Sequence, residues 1–220
     1  MLTTRRAALH GLAAPLFAMA PTAGWTAEAL VVDLKDVPAG ALPASFTTAR
    51  TGQGAPSTWL VQEDASVPGG RVITQTSNDK TDYRFPLAIY QPFSGTDVEV
   101  TVRFKAVAGS IDRAGGIVLR LIDPNNYYVL RANALEDNVN FYHVIQGVRR
   151  QIKGAAAKVT SGQWHALTLK AERDQFTATF DGKPILAAAD HTFSAAGKVA
   201  LWTKADSVTS FVALTIRPLS

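Results

Sequence analysis

Residues 96–106 read TDVEVTVRFKA, and apolar and polar side chains alternate along them without a break. The apolar positions are Val98, Val100, Val102, Phe104 and Ala106. Successive side chains of a β-strand point to opposite faces, so a period of two predicts a strand with one buried side. Similar runs occur on both sides of this stretch, and together they indicate the fold class.

Strand-like runs recur at short spacing and are separated by turn residues. Besides 96–106, we predict strands at 71–77, 84–90, 116–123, 127–134, 139–146, 148–153, 164–172, 175–181, 184–189, 198–204 and 208–217. Asp181-Gly182 predicts a hairpin turn, because glycine readily adopts the positive φ that such turns require. About a dozen strands without a helical period predict an all-β fold, a jelly-roll β-sandwich of two antiparallel sheets. Residues 38–56 are predicted to be a meander or loop before the sheets.

The first residues have the composition of an export signal. Arg5 and Arg6 precede an apolar run from Ala7 to Ala20, which small residues follow. This order is typical of a secretory signal; the paired arginines favour the twin-arginine type over an ordinary signal. We predict a signal peptide over residues 1–27, cleaved between 20 and 29, and a single β-sandwich domain over 28–220. The mature protein is then predicted to be periplasmic or secreted.

Charge and composition exclude several classes of function. The chain has 22 Lys and Arg against 18 Asp and Glu, and removing Arg5 and Arg6 lowers the net charge from +4 to +2. A nearly neutral chain without a long basic run predicts no nucleic-acid partner. The absence of cysteine excludes thiolate chemistry and Cys-type zinc sites. No second apolar span follows the signal, so no membrane span is predicted in the mature chain.

Strand alternation gathers polar and aromatic side chains on one sheet face. The predicted substrate-binding residues are Arg120, Tyr127, Arg131, Asn133, Tyr142, Trp202 and Lys204. His143 takes the place of Tyr142 if that strand turns its other side to this face. Aromatic rings stack on sugars and Arg or Asn side chains bond their hydroxyls, so the face predicts a carbohydrate ligand. The alternative is a solvated sheet face without a ligand.

Few residues qualify for catalysis or metal binding. His143 is the only histidine near the predicted face and is a candidate general base, with Glu136 as the alternative proton carrier. Glu136 and Asp137 are adjacent, which favours a loop in which they hold calcium, and Asp206 is a further candidate ligand for such an ion. The chain lacks the strand-borne E-x-D-x-E, H-E-x-x-H and G-x-S-x-G patterns of common hydrolases.

Three stretches resemble a known family: DPNNYYVLRANALEDNV at 123–139, FDGKPI at 180–185 and GKVALWTKADSVTSF at 197–211. They are similar to exported concanavalin A-like sandwich domains of the 3-keto-disaccharide hydrolase-like family, relatives of laminin G-like domains. The resemblance extends over residues 95–214. Such domains often end with an aromatic residue and two aspartates, whereas this chain has Phe211-Val212-Ala213.

The resemblance implies two curved antiparallel sheets with a carbohydrate-binding concave side. For some relatives it also implies cleavage of 3-keto glycosides, in which a base removes the acidic C–H beside the ketone and a divalent cation holds the ketone oxygen. We therefore predict an exported carbohydrate-binding protein that acts as a hydrolase or lyase on a (3-keto) glycoside. The alternative is a non-catalytic periplasmic module that binds a glycan or a protein. Ca²⁺ is the only cofactor that this interpretation suggests.

Overall fold

The computed structural model describes residues 28–219, so the predicted signal peptide lies outside the described residues. The strands are β1 Leu30–Val31, β2 Phe46–Gly52, β3 Trp59–Glu63, β4 Arg71–Gln75, β5 Arg84–Gly95, β6 Val98–Ala108, β7 Ala114–Asp123, β8 Asn126–Asn133, β9 Asn138–Ile145, β10 Val148–Ala156, β11 Trp164–Glu172, β12 Gln175–Phe180, β13 Lys183–Ala189, β14 Gly197–Trp202 and β15 Val208–Pro218. Between residues 28 and 219 there is no helix of the length and apolarity that crossing a membrane requires.

The strands form two antiparallel sheets. Sheet A has the order β13-β12-β11-β6-β15-β4-β3, with β1 paired to β15, and sheet B has the order β10-β9-β8-β7-β14-β5-β2. The predicted all-β sandwich of two antiparallel sheets is confirmed. Strand β6, which carries the alternating stretch, lies inside sheet A, and all of its predicted apolar positions from Val98 to Ala106 are fully buried.

Side chains from both sheets fill the space between them, which we call the main core. Phe176 of sheet A packs against Tyr128 and Phe141 of sheet B, with ring centroids 4.6 and 4.8 Å away. All three rings are fully buried. Burying one large apolar side chain contributes roughly 1.5–3 kcal/mol, so this core is the main source of stability.

Sheet B also buries the face that is turned away from sheet A. This second core consists of Phe85, Leu87, Ile89, Ala114, Val118, Leu121, Tyr127, Val129, Tyr142, Val144, Ala200 and Trp202. Strands that are buried on both faces lose the simple polar–apolar alternation. This explains why the runs at 84–90 and 127–134 are apolar or aromatic at nearly every position.

The second core is buried because sheet B curls around it. The Thr51 hydroxyl of β2, at one margin of the sheet, lies 2.7 Å from the Tyr127 hydroxyl of β8 and donates to the Pro124 carbonyl. The Tyr83 hydroxyl, beside β5, donates to the Gly147 carbonyl and accepts the Arg149 N–H of the β9–β10 hairpin. These bonds join strands that are several positions apart in sheet B, so its outer face is concave.

Two local predictions have different outcomes. The Asp181-Gly182 turn is confirmed, because it joins β12 to β13 with positive φ at both residues, 48° and 74°. The prediction that residues 38–56 are a meander or loop preceding the sheets is wrong in one respect, because they contain β2, the edge strand of sheet B. The sequence FTTARTG buries only its first and sixth residues, so it has no period of two to reveal it.

Replacing Tyr127 by Phe tests the bonds that hold sheet B in its curled shape. We expect Tyr127→Phe to lower the free energy of unfolding by about 1 kcal/mol, the usual net contribution of a buried hydrogen bond. Urea denaturation measures this change. Tyr90→Phe is the control, because the Tyr90 hydroxyl makes no side-chain hydrogen bond in the part of the chain described. Equal stabilities of the two variants would contradict the role of the Tyr127 hydroxyl.

Candidate functional site

A connected group of polar side chains lies at the edge of the concave face where β8 and β14 end and β7 and β9 begin. We call it the polar rim, and its members are Asp82, Asp112, Arg131, Glu136, Asn138 and Lys204. The two strands β8 and β9 are joined by a short turn, which brings Glu136 and Asn138 back towards Arg131. The local chain reversal therefore builds half of the rim.

Arg131 is the centre of the polar rim. Its Nη2 donates to Glu136 Oε2 and to Asn138 Oδ1, both at 2.7 Å, and Asn138 Nδ2 donates to the same Glu136 oxygen at 2.9 Å. Arg131 is 1% exposed, whereas the Glu136 side chain is 48% exposed. The Arg131 Nε–H is buried and has no hydrogen-bond partner within the described chain. The guanidinium group thus fixes two surface acceptors while keeping a free donor of its own.

A second chain of charges continues the rim on the other side of Arg131. Asp112 Oδ2 lies 3.9 Å from Arg131 Nη1 and 3.0 Å from Lys204 Nζ, and Lys204 also pairs with Asp82 at 2.5 Å. Asn133 Nδ2 donates to the other Asp112 oxygen at 2.9 Å. Positive and negative groups alternate along the rim, which gives it both donors and acceptors.

The two central carboxyl groups have pKa values shifted in opposite directions. Burial raises the pKa of Asp112, and its partners Arg131 and Lys204 only partly offset this. Burial alone would also raise the pKa of Glu136, but hydrogen bonds from Arg131 and Asn138 outweigh it and lower that pKa. Glu136 is therefore an ionised acceptor that solvent can reach. Asp112 is 1% exposed; its Oδ1 accepts from Asn133, and its Oδ2 makes no hydrogen bond within the described chain but lies 3.0 Å from the Lys204 ammonium.

Beside the rim, the guanidinium group of Arg149 lies on the aromatic residues of the second core. Its Cζ is 4.8 Å from the ring centroid of Phe85, 4.6 Å from that of Tyr142 and 5.7 Å from that of Trp202. A cation over aromatic faces is attracted by their negative π clouds. Arg131 also lies over Tyr142, with its Cζ 5.7 Å from the ring centroid. The Tyr142 ring thus joins Arg149 to the polar rim.

One aromatic ring at this end of the concave face is open to solvent. Tyr83 is 43% exposed, and its ring centroid lies 4.8 Å from that of Phe85, which also carries Arg149. Its hydroxyl is fixed by the β9–β10 hairpin. A ring held in this way offers an apolar platform beside the charged groups.

Six of the predicted binding residues do lie on one face, although most of them are inaccessible. Tyr127, Arg131, Asn133, Tyr142, Trp202 and Lys204 belong to the concave face or its rim. Tyr127 and Trp202 are fully buried and bond each other, with Trp202 Nε1 3.3 Å from the Tyr127 hydroxyl. Burial raises the pKa of Tyr127 to about 12. These two rings form the floor of the face and present no open stacking surface.

The prediction that Arg120 shares this face is wrong. The register of β7 shifts between Leu119 and Asp123, and Arg120 itself has a φ of 49°. This bulge turns its side chain towards sheet A, where the guanidinium lies 5.2 Å from the Phe176 ring centroid and donates to the Thr96 and Phe193 carbonyls. A bulge inserts one residue and so reverses the alternation on which the prediction depended.

His143 lies apart from the polar rim. Its neighbour Tyr142 belongs to the concave face, so His143 points to the other side of β9. There His143 Nδ1 is 3.5 Å from Asp190 Oδ2 and 3.2 Å from the Thr192 hydroxyl. The two predicted proton carriers, His143 and Glu136, are thus on opposite faces of sheet B.

The residues predicted to bind Ca²⁺ each have protein partners. Glu136 is bonded to Arg131, and Asp137 accepts from the Lys158 ammonium and the Val159 N–H. Asp206 accepts the backbone N–H groups of residues 110, 111 and 112. Residues 28–219 contain no group of three or more His, Cys, Asp or Glu side chains that could hold a metal ion. The arrangement of these carboxylates does not fit a shared Ca²⁺.

Five residues of this region were not predicted from the sequence: Asp82, Tyr83, Asp112, Asn138 and Arg149. Asp82, Tyr83 and Asp112 lie between strands, so strand alternation could not assign them to a face. Arg149 lies on β10, opposite Val144 of the second core. Its pairing with β9 was the signal that could have placed it on the concave face.

The fold is similar to that of several solved structures. The carbohydrate-binding module CBM66 from Bacillus subtilis superposes with a TM-score of 0.63 at 20% identity, over 79% of this chain and 95% of that one. A Bacillus subtilis protein of unknown function with a galectin-like fold gives 0.54 at 12% identity, over 79% and 89%. Domain 4 of a GH43 extracellular arabinanase from Geobacillus stearothermophilus, in complex with arabinotriose, gives 0.53 at 13% identity, over 78% and 82%. No protein-family model and no curated protein sequence matches this chain.

Asp206 fixes the loop that carries Asp112, because its carboxylate accepts the backbone N–H groups of that loop. Burial would raise the pKa of Asp206, but the backbone N–H groups of residues 110–112 and the Ser110 hydroxyl outweigh burial and lower it. A carboxylate whose folded pKa is depressed contributes stability above its unfolded pKa and loses it as the pH falls through the folded value. The carboxylate of Asp206 should therefore stabilise the folded protein at neutral pH.

We expect Asp206→Asn to lower the free energy of unfolding at pH 7 by about 1–3 kcal/mol, as for loss of charge-assisted hydrogen bonds. The difference from the wild type should shrink as the pH falls below the ordinary carboxyl pKa of 3.8. Urea denaturation at several pH values checks this, and Asp36→Asn, at an exposed position, is the control. A difference that does not change with pH would refute the assigned ionisation.

Proposed function

We propose that this protein binds carbohydrate on the concave face of sheet B, with the polar rim as the principal contact. The observation that carries the proposal is the buried Arg131 guanidinium, which holds Glu136 and Asn138 at the surface and keeps an unpaired N–H. The export predicted from residues 1–27 is part of this proposal, since a periplasmic or secreted location would give access to extracellular glycans.

The chemistry of the rim suits sugar hydroxyls. Each hydroxyl both donates and accepts, and the rim offers the Glu136 carboxylate, the Asn138 amide and the Lys204 ammonium within one network. Because Arg131 already fixes Glu136 and Asn138, a ligand would not have to immobilise them, and preorganisation of this kind favours affinity. Tyr83 adds an exposed ring for the CH face of a sugar.

Two of the structures with a similar fold come from proteins that bind carbohydrate by name or by their bound ligand. One is named as a carbohydrate-binding module, and another is an arabinanase domain in complex with arabinotriose. At 20% identity or less they inform the fold alone, so the proposal rests on the polar rim of this chain.

Glu136→Gln tests the proposed site with little risk to folding, because the side chain is half exposed. A glycan array on residues 28–220 would identify ligands, and calorimetry would then compare variants. We expect the variant to bind an identified glycan about 10-fold to 100-fold more weakly, since a charge-assisted hydrogen bond contributes about 1.5–3 kcal/mol. Glu172→Gln, on sheet A, is the matched control. Unchanged affinity in Glu136→Gln would exclude the rim, and no binding to any glycan would refute the function.

The second candidate function is a hydrolase or lyase acting on a (3-keto) glycoside. The observation in its favour is that Glu136 is an accessible, ionised carboxylate, which is what abstraction of an acidic C–H requires. Binding is better supported, because glycoside hydrolysis ordinarily uses two carboxyl groups, and the second one here, Asp112, is buried and inaccessible to a substrate.

Turnover separates the two candidates. We expect no release of sugar from a 3-keto-glucoside by the protein, with or without added divalent cations. Chromatography of the reaction products provides the measurement, with Glu136→Gln as the comparison. Release by the wild type that Glu136→Gln abolishes would favour the enzyme, and the binding-only conclusion would then be withdrawn.

A further inference from the structure

We infer that the carbohydrate bound at the concave face is acidic and that its carboxylate is held by the guanidinium group of Arg149. This inference rests on the proposed function and specifies the ligand as a uronic-acid-containing glycan. It adds a binding residue beside the polar rim.

Arg149 differs from the other cations of this face in its lack of polar partners. Arg131 and Lys204 are paired with the carboxylates of Glu136, Asp112 and Asp82. In the described chain, no carboxylate lies within ion-pair distance of Arg149, and its side chain has no hydrogen-bond acceptor. Its guanidinium group is held only by the aromatic rings beneath it.

This position leaves the charge of Arg149 uncompensated. Arginine stays protonated in proteins, and its Nη1 is buried without a partner. Desolvation lowers the pKa of Arg149 and the nearby Arg131 lowers it further; together they outweigh Tyr142 and Asp112, which raise it, so the cationic form is penalised in the free protein. A negatively charged group on the ligand would remove this penalty.

The planar shape of the Arg149 guanidinium group indicates which kind of anion fits. A planar guanidinium donates two parallel hydrogen bonds to a carboxylate, and the stacked rings already fix its plane. Both Arg149 and Arg131 lie over the Tyr142 ring, so a glycan on the rim can extend to Arg149. Tyr83 packs on the same Phe85 ring as Arg149. The ring of a sugar whose carboxylate is bound to Arg149 would therefore lie beside Tyr83.

The test compares acidic polysaccharides with their neutral counterparts. Polygalacturonate, alginate and glucuronan fragments are titrated calorimetrically into residues 28–220, each alongside the same fragments with their carboxyl groups reduced to alcohols. We expect at least one acidic fragment to bind, and its reduced form to bind at least about 10-fold more weakly. Reduced forms that bind equally well, or neutral glycans that bind while no acidic fragment does, would overturn the inference and leave the proposed function standing. Binding by neither class would refute both.

Substitutions identify the group that holds the carboxylate. Arg149→Gln should weaken binding of the acidic fragment about 10-fold to 100-fold and leave binding of its reduced form within about twofold. Arg149→Lys keeps the charge over the rings but loses the planar fork, so it should fold normally and recover only part of the affinity. Arg150→Gln removes the same charge from an exposed neighbouring position and should bind like the wild type. If Arg149→Gln and Arg150→Gln bind the acidic fragment equally, Arg149 does not hold the carboxylate.

Discussion

The shape of the concave face follows first from the curl of sheet B. Hydrogen bonds from Thr51 and Tyr83 join the β2–β5 margin to β8 and the β9–β10 hairpin. A flat sheet would leave Phe85, Tyr142 and Trp202 in water, whereas the curled sheet buries them beneath Arg149. The curvature of sheet B therefore accounts for both the second core and the concave face.

The two guanidinium groups of the concave face, those of Arg131 and Arg149, have different environments. Arg131 is held by carboxylate and amide oxygens, so its main effect is to position acceptors at the surface. Arg149 is held by aromatic rings, and within the described chain its side-chain N–H groups have no hydrogen-bond acceptor. Buried donors without partners are costly, and proteins keep them mainly where a ligand or water completes the bonding. We therefore propose different roles for the two groups, with the rim around Arg131 contacting sugar hydroxyls and Arg149 holding an acidic group.

The sequence was sufficient to predict the two-sheet architecture, because strands such as β6 bury one face and alternate. It also grouped Tyr127, Arg131, Asn133, Trp202 and Lys204 correctly on one side of sheet B. It could not reveal that the outer face of sheet B is itself a core. Aromatic residues have the same spacing along a strand whether that face of the sheet is concave and buried or flat and open to solvent. Arg120 was misplaced because a bulge leaves no mark in a run of otherwise regular period. Tyr83 and Asp112 lie in loops, where no periodicity applies.

We propose that ligand binding occurs at the concave face of sheet B. Amide chemical-shift mapping of the ¹⁵N-labelled protein during titration with a glycan that it binds tests this most directly. We expect the largest shifts in the β8–β9 turn at 134–138, in the neighbouring residues 82–83 and in β10 near Arg149, with little change on β12 and β13 of sheet A. Shifts concentrated on sheet A, with the β8–β9 turn unaffected, would contradict it.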